Sequence, residues 1–87
     1  MLDYSLISKI KRGKNRKIIF LAIDKPMMPS EIMLKVYNKR SNTYFNVVSR
    51  ALKELVDLGV IKIINEKEKT GRIYVLTKKG KEIIKKI

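Results

Sequence analysis

Asn42-Thr-Tyr-Phe-Asn-Val-Val-Ser-Arg-Ala-Leu-Lys-Glu-Leu-Val-Asp-Leu-Gly59 is the most regular stretch of the chain. With successive residues turning by about 100°, Phe45, Val48, Leu52, Leu55 and Val56 gather on one side. The other side carries Thr43, Asn46, Arg50, Lys53, Glu54 and Asp57. This is the pattern of a helix laid on a core with one face in solvent, and it predicts a helix over about residues 42–58. Gly59 closes it where a left-handed cap is expected.

The elements on either side follow from this helix. Before it, Asn38-Lys-Arg-Ser-Asn-Thr43 is polar and rich in capping residues, so it reads as a turn. Before the turn, Pro29 suits the first turn of a helix, since its missing N–H is no loss there. Ile32, Met33 and Val36 recur at helical spacing through Tyr37, and Met27 can staple to Ile32 across the helix start. Earlier still, about residues 14–23 form a helix, basic at its start and apolar nearly all round at its end, which belongs in the centre of a core. The break at Pro26 ends it. About residues 3–11 form a short amphipathic helix with Leu2, Leu6, Ile7 and Ile10 on one side, interrupted by Gly13.

After Gly59 come two β-rich runs, residues 60–64 and 72–76, joined by the polar Asn65-Glu-Lys-Glu-Lys-Thr-Gly71. They read as a hairpin with an extended, charged tip. Thr77 caps a last helix over about residues 78–87, with Ile83, Ile84 and Ile87 as its apolar side. The fold class expected is α+β, mainly helical with one small hairpin. The order helix, helix, turn, helix, hairpin describes a winged helix-turn-helix, and the 87 residues amount to one such domain.

Charge narrows the function. Twenty-one Lys and Arg face eight Asp and Glu, a formal net charge of +13. Such an excess repels itself unless a polyanion neutralises it, and nucleic acid is the commonest polyanion. Lys-rich compositions also occur in thermophile proteins of every function, but those match Lys with Glu. Cysteine and histidine are absent, which removes thiol and imidazole chemistry and zinc sites of ordinary composition. No carboxylates cluster for an oxygen-only metal site. With no nucleophile–base pair or phosphate loop either, the expectation is a protein that is not an enzyme and takes no cofactor, metal or small-molecule effector. The longest apolar run, residues 18–23, falls far short of the about 20 residues of a membrane span. Asp3 and the lack of an apolar leader point to the cytoplasm.

Val48-Ser-Arg-Ala-Leu-Lys-Glu-Leu-Val-Asp-Leu-Gly-Val-Ile61 closely resembles the recognition-helix segment of winged helix-turn-helix transcription regulators of archaea and bacteria. Tyr74-Val-Leu-Thr-Lys-Lys-Gly-Lys81 resembles the strand-to-helix step after their wing, and residues 15–23 are similar to their first core helix. The chain departs from that pattern between Glu31 and Val48, where it is longer than the compact versions: either the third helix runs on through Lys39, or the turn is enlarged. The resemblance implies sequence-selective binding of double-stranded DNA, usually as a homodimer on a two-fold site.

The candidate recognition residues are Ser41, Asn42, Thr43, Tyr44, Asn46, Ser49, Arg50 and Lys53, because the N-terminal half of a recognition helix meets the base edges. Glu54 and Asp57 lie roughly 6–16 Å further along the axis than Arg50 and Asn46, clear of the phosphates if the helix enters the groove N-terminus first. Lys67, Lys69, Thr70 and Arg72 are the wing candidates, and Lys14, Arg16, Lys39 and Arg40 the weaker backbone contacts. Each has a plainer reading. Arg50 and Lys53 can simply solvate an exposed face, Tyr44 can pack beside Phe45, and the hairpin cations can keep an edge soluble. The apolar faces of the first and last helices (Leu2, Leu6, Ile7, Ile10; Ile83, Ile84, Ile87) are expected to remain after the core assembles and to form a dimer interface, unless the first helix folds back on its own core. The rival functions are a non-specific architectural DNA-coating protein and a winged module that binds another protein.

Overall fold

The computed structural model describes residues 4–87. It is mainly helical, with five helices and one two-stranded antiparallel sheet in the order α1 (Tyr4–Arg12), α2 (Lys14–Ala22), α3 (Pro29–Tyr37), α4 (Asn42–Asp57), β1 (Ile61–Ile63), β2 (Tyr74–Leu76) and α5 (Lys78–Ile84).

Local chemistry sets most of the boundaries. Lys9, Lys11 and Arg12 occupy the last turn of α1, where cations meet the negative end of the helix dipole. Pro29 opens α3, and Glu31 Oε1 accepts the Met28 N–H at 2.9 Å, satisfying a donor at the helix start. Met27 and Ile32 on either side of that start are both buried, as a hydrophobic staple requires. Asn38 stops α3: it takes a left-handed conformation (φ 53°) and donates its N–H to the Leu34 carbonyl at 2.9 Å. The third helix therefore does not run on through Lys39. Ser41 caps α4, its Oγ accepting the Tyr44 N–H at 3.1 Å. Gly59, at φ 79°, ends that helix as expected. The C-terminal end of α2 is capped from outside by Lys35 of α3, whose Nζ donates to Ala22 O at 2.8 Å and lies 2.9 Å from Asp24 Oδ2. The Lys35 hydrogen bond holds the Asp24 carboxyl below its usual pKa.

The hairpin pairs Ile61 with Leu76, Lys62 with Val75 and Ile63 with Tyr74. Both strands are shorter than their β-rich runs, because residues 64–73 are given over to the loop. Met27, between α2 and α3, adds a one-residue third rung: it exchanges both backbone hydrogen bonds with Tyr74, at 3.0 and 2.8 Å. That rung ties the hairpin back to the helices.

One core collects side chains from every helix and from β1. Phe20, Ile10, Ile19, Ile23, Ile32, Leu52 and Leu55 are among its fully buried members, each contributing about 1.5–3 kcal/mol relative to exposure.

The core corrects several expectations. Leu6, Ile7, Ile10 and Ile83 are buried within this chain, and Ile84 and Ile87 pack against the same core. The first helix folds back on its own core, so its apolar face, expected at a dimer interface, is buried within the chain, while Ile84 and Ile87 of the C-terminal segment are partly buried. Leu2 lies outside the described residues. The end of α2 is not covered all round: Ile18 (38% exposed) and Leu21 (42%) share an outward face. Phe45, placed by periodicity with the core, is 43% exposed. It sits at the edge of the apolar arc in the first turns of α4, where no neighbouring element closes over it. The last helix ends at Ile84, short of residue 87.

Helix α5 is docked by Thr77 and Gly80. Thr77 caps the helix by accepting the Gly80 N–H at 3.0 Å, while its own hydroxyl donates to Gly59 O at 2.7 Å and its N–H to Val60 O at 3.0 Å. A Cβ on Gly80 would lie 1.9 Å from that Val60 oxygen. Gly80→Ala therefore sets two effects against each other: helix propensity favours Ala by about 1 kcal/mol, and overpacking against backbone costs about 1–3 kcal/mol or more. The clash is with a carbonyl that cannot rotate away, so urea unfolding should show a net loss of about 2 kcal/mol. A gain would mean that α5 is not seated on Val60.

Candidate nucleic-acid interface

The outward face of α4 presents Asn42, Thr43, Asn46, Ser49, Arg50 and Lys53, all exposed. Because they lie within the first twelve residues of a helix seated on the core by Val48, Ala51, Leu52 and Leu55, their backbone positions are fixed.

Hollows flank this face on two sides. Toward α2, Lys14, Asn15, Arg50 and Glu54 line a shallow depression. Toward the hairpin, Phe45 and Ser49 line a groove of about 460 Å³ together with Lys69, Thr70, Gly71 and Arg72 of the loop and Pro29 and Ser30 of α3. Arg40, Ser41 and Asn42 border a further hollow on the other side of Phe45. The fold thus brings the recognition candidates together with Lys14 on one flank and with Lys69, Thr70, Arg72 and Arg40 on the other. Lys39 and Lys67 are exposed in the turn and in the hairpin loop, respectively.

Three candidates are engaged elsewhere. The Arg16 guanidinium pairs with Glu54 and donates to the Lys9 carbonyl at 2.8 Å, so it joins α1, α2 and α4 and is not presented as a phosphate ligand. Gly13 makes room for it, since a Cβ there would stand 2.4 Å from Arg16 Nε. The Tyr44 ring stacks on Tyr37 with centroids 4.4 Å apart and planes 7° from parallel, clamping the turn between α3 and α4. Partial burial, and then Tyr44 itself, pushes the Tyr37 phenol above the usual tyrosine range. Tyr44 is a packing residue here. Ser41 is half-buried and serves as a cap, one lone pair of its Oγ accepting the Tyr44 N–H.

The hairpin loop is more tightly built than its charged sequence suggests. The Asn65 side chain donates to Gly71 O at 3.1 Å and accepts the Ile73 N–H at 2.8 Å, bridging the loop from within. Arg72 Nε donates to Glu68 O at 2.8 Å, which uses one of the five guanidinium N–H groups and leaves four as donors. Gly71 adopts φ 68°, a left-handed turn open to glycine. Neither the bracing Asn65 nor the exposed Phe45 was marked out by residue type or spacing. An Asn at the start of a glycine-containing loop was the available signal for the first.

Among the described residues ion pairs form at two places, Arg16–Glu54 and Lys35–Asp24. The first neutralises one of the two acids on the outer side of α4, so that Asp57, near the helix end, is the acid left unpaired there. Glu66 and Glu68 belong to neither pair. No three metal-ligating side chains cluster, and no helix is long and apolar enough to cross a membrane, again among the described residues.

Comparison of the chain with protein-family models, with curated proteins and with solved structures finds no match.

The Arg16 bridge has a stability consequence. Arg16→Ala removes a hydrogen bond to a carbonyl and a half-exposed ion pair, and urea unfolding should register a loss of about 1 kcal/mol. Arg16→Lys should recover little of it, because a single ammonium does not reproduce the guanidinium fork. Full recovery by Lys would show that only the charge matters.

Proposed function

We propose that this chain is a winged helix-turn-helix domain that binds double-stranded DNA and regulates transcription. The observation that carries the reading is the placement of the outer face of α4 between cationic flanks: Lys14 with Arg50 on one side, and Lys69, Arg72 and Arg40 on the other. A B-form major groove, about 12 Å wide, admits one helix and has a phosphate backbone on each side. The resemblance of residues 48–61 and 74–81 to winged-helix regulators, the Met27–Tyr74 rung beside the hairpin and the net charge of +13 support the same assignment. Double-stranded RNA fits less well, since its A-form major groove is too narrow for side chains to read.

In this reading α4 enters the groove by its N-terminal half. Asn46 and Arg50 read base edges, the first suited to adenine and the second to guanine. The hairpin reaches the backbone with Lys67, Lys69 and Arg72, held in place by Asn65. Glu54, the acid nearest Arg50 on this face, is paired with Arg16. A non-specific coating protein is the second reading, favoured by the spread of cations onto α1 (Lys9, Lys11, Arg12) and α5 (Lys78, Lys79, Lys81). Selection of bound sequences from a random duplex pool separates the two: a regulator yields a consensus, and a coating protein returns the pool unchanged.

Arg50→Ala and Asn46→Ala should each cost about 1–3 kcal/mol on the selected site and far less on random duplex. Both side chains are exposed, so the fold should be retained. Equal losses on the two duplexes would place Arg50 on phosphate alone.

Each phosphate contact steepens the log–log salt dependence of binding by about 0.9. Replacing Lys67 and Lys69 with Ala should therefore flatten the slope by up to about two units while weakening all duplexes alike. An unchanged slope in fluorescence anisotropy would leave the hairpin in solvent.

A further inference from the structure

We propose that Phe45 is a base-reading residue of this surface, its ring meeting the C5 methyl group of a thymine in the major groove. The assignment rests on the DNA-binding reading above and adds a sequence preference to it.

Phe45 is one of two phenylalanines in the chain, and the two are treated oppositely. Phe20 is fully buried, whereas Phe45 stands in the first turns of α4 with 43% of its surface in solvent. Its ring is shared by two hollows, the groove toward Lys69 and Arg72 and the one toward Arg40 and Asn42. Pro29 and Met33 of α3 add further apolar lining, one in each hollow, so the strip has an apolar floor and cationic rims.

A thymine edge has the matching chemistry. The major groove offers hydrogen-bonding groups at every base pair, and thymine adds an apolar methyl at C5. In this placement the phosphates of one rim of the groove lie opposite Lys69, Arg72 and Arg40, the cations that line the two hollows sharing Phe45. Ser49 follows one turn after Phe45 on the same side of α4 and lines the same groove, and its small side chain leaves the space beside the ring open. Asn46 and Arg50 lie about 100° and 140° around the helix from Phe45. They therefore face different positions on the base-pair ladder and do not compete for the one that Phe45 meets. A protein partner would have to bring an apolar side chain ringed by acids to the same strip. Duplex DNA carries that arrangement at any thymine.

The test uses two alternating duplexes of equal length, dA·dT and dA·dU, which differ in the thymine methyl groups. Burial of one methyl-sized group corresponds to about a fourfold change in affinity. The wild-type chain should bind dA·dT at least about fourfold more tightly than dA·dU. Phe45→Ala should bind both with the affinity that wild type shows for dA·dU, and Phe45→Leu should keep part of the preference. A dG·dC duplex carrying 5-methylcytosine, which puts a methyl at the same place, should likewise be preferred by wild type over unmethylated dG·dC. Equal binding of dA·dT and dA·dU by wild type overturns the proposal, as does a preference that survives in Phe45→Ala. A loss of affinity in Phe45→Ala that is the same for both duplexes also overturns it, since Phe45 would then only position the helix. Binding of neither duplex at low salt overturns the DNA-binding reading itself, and this one with it.

Discussion

The packing of α4 against α2 is the contact on which the rest of the molecule depends. Val48, Ala51, Leu52 and Leu55 of one helix and Ile19 and Phe20 of the other meet in the centre of the core, and these two helices form the most extensive contact between elements. Arg16 pins the same pair from outside through Glu54 and reaches Lys9 of α1. The other elements take their position from this pair. Lys35 of α3 caps α2, and Gly59 and Val60 at the end of α4 receive the hydrogen bonds of Thr77 that seat α5. A helix held this firmly on its inner side can present its outer side as a fixed surface, the one on which the proposed binding of DNA rests.

Much of this was legible in the sequence because the signals were local. Pro29, Gly59 and Thr77 each mark a boundary by backbone chemistry acting within a few residues: α3 and α5 begin, and α4 ends, where those residues place them. The end of α3 was less certain from sequence, since Asn38 can either continue a helix or leave it in a left-handed cap. The structure takes the second course. Periodicity also located the core side of α4 but erred at Phe45, because it reports which way a residue faces and not whether another element covers that point. The same limit explains α1 and α5. Their apolar faces were visible, but whether this chain or a second copy buries them depends on long-range packing, and Ile10 at 0% exposure settles that α1 folds back.

The candidate surface was legible by residue type and less so by partnership. Arg16 and Arg50 look alike in sequence, both basic residues of a helix. One is tied to Glu54 and Lys9, and the other lies exposed on α4. Tyr44 was open to two readings until its ring was found stacked on Tyr37. These distinctions follow from residues far apart in the chain and could not be drawn from spacing. The hairpin illustrates the converse. Its tip reads as a solvated charged loop, yet Asn65 and Arg72 brace it from within, so its lysines are carried on a shaped arm.

The central claim is that the outer face of α4 and the hairpin together form a surface for duplex DNA. Amide chemical shifts of the isotopically labelled chain, followed as a duplex is titrated in, test it most directly. The account predicts that the largest changes fall on residues 40–53 and 67–72, with little change on α1 or at the exposed Ile18 and Leu21 of α2. Changes centred on α1, α5 or the Ile18–Leu21 face, with α4 unmoved, would contradict it.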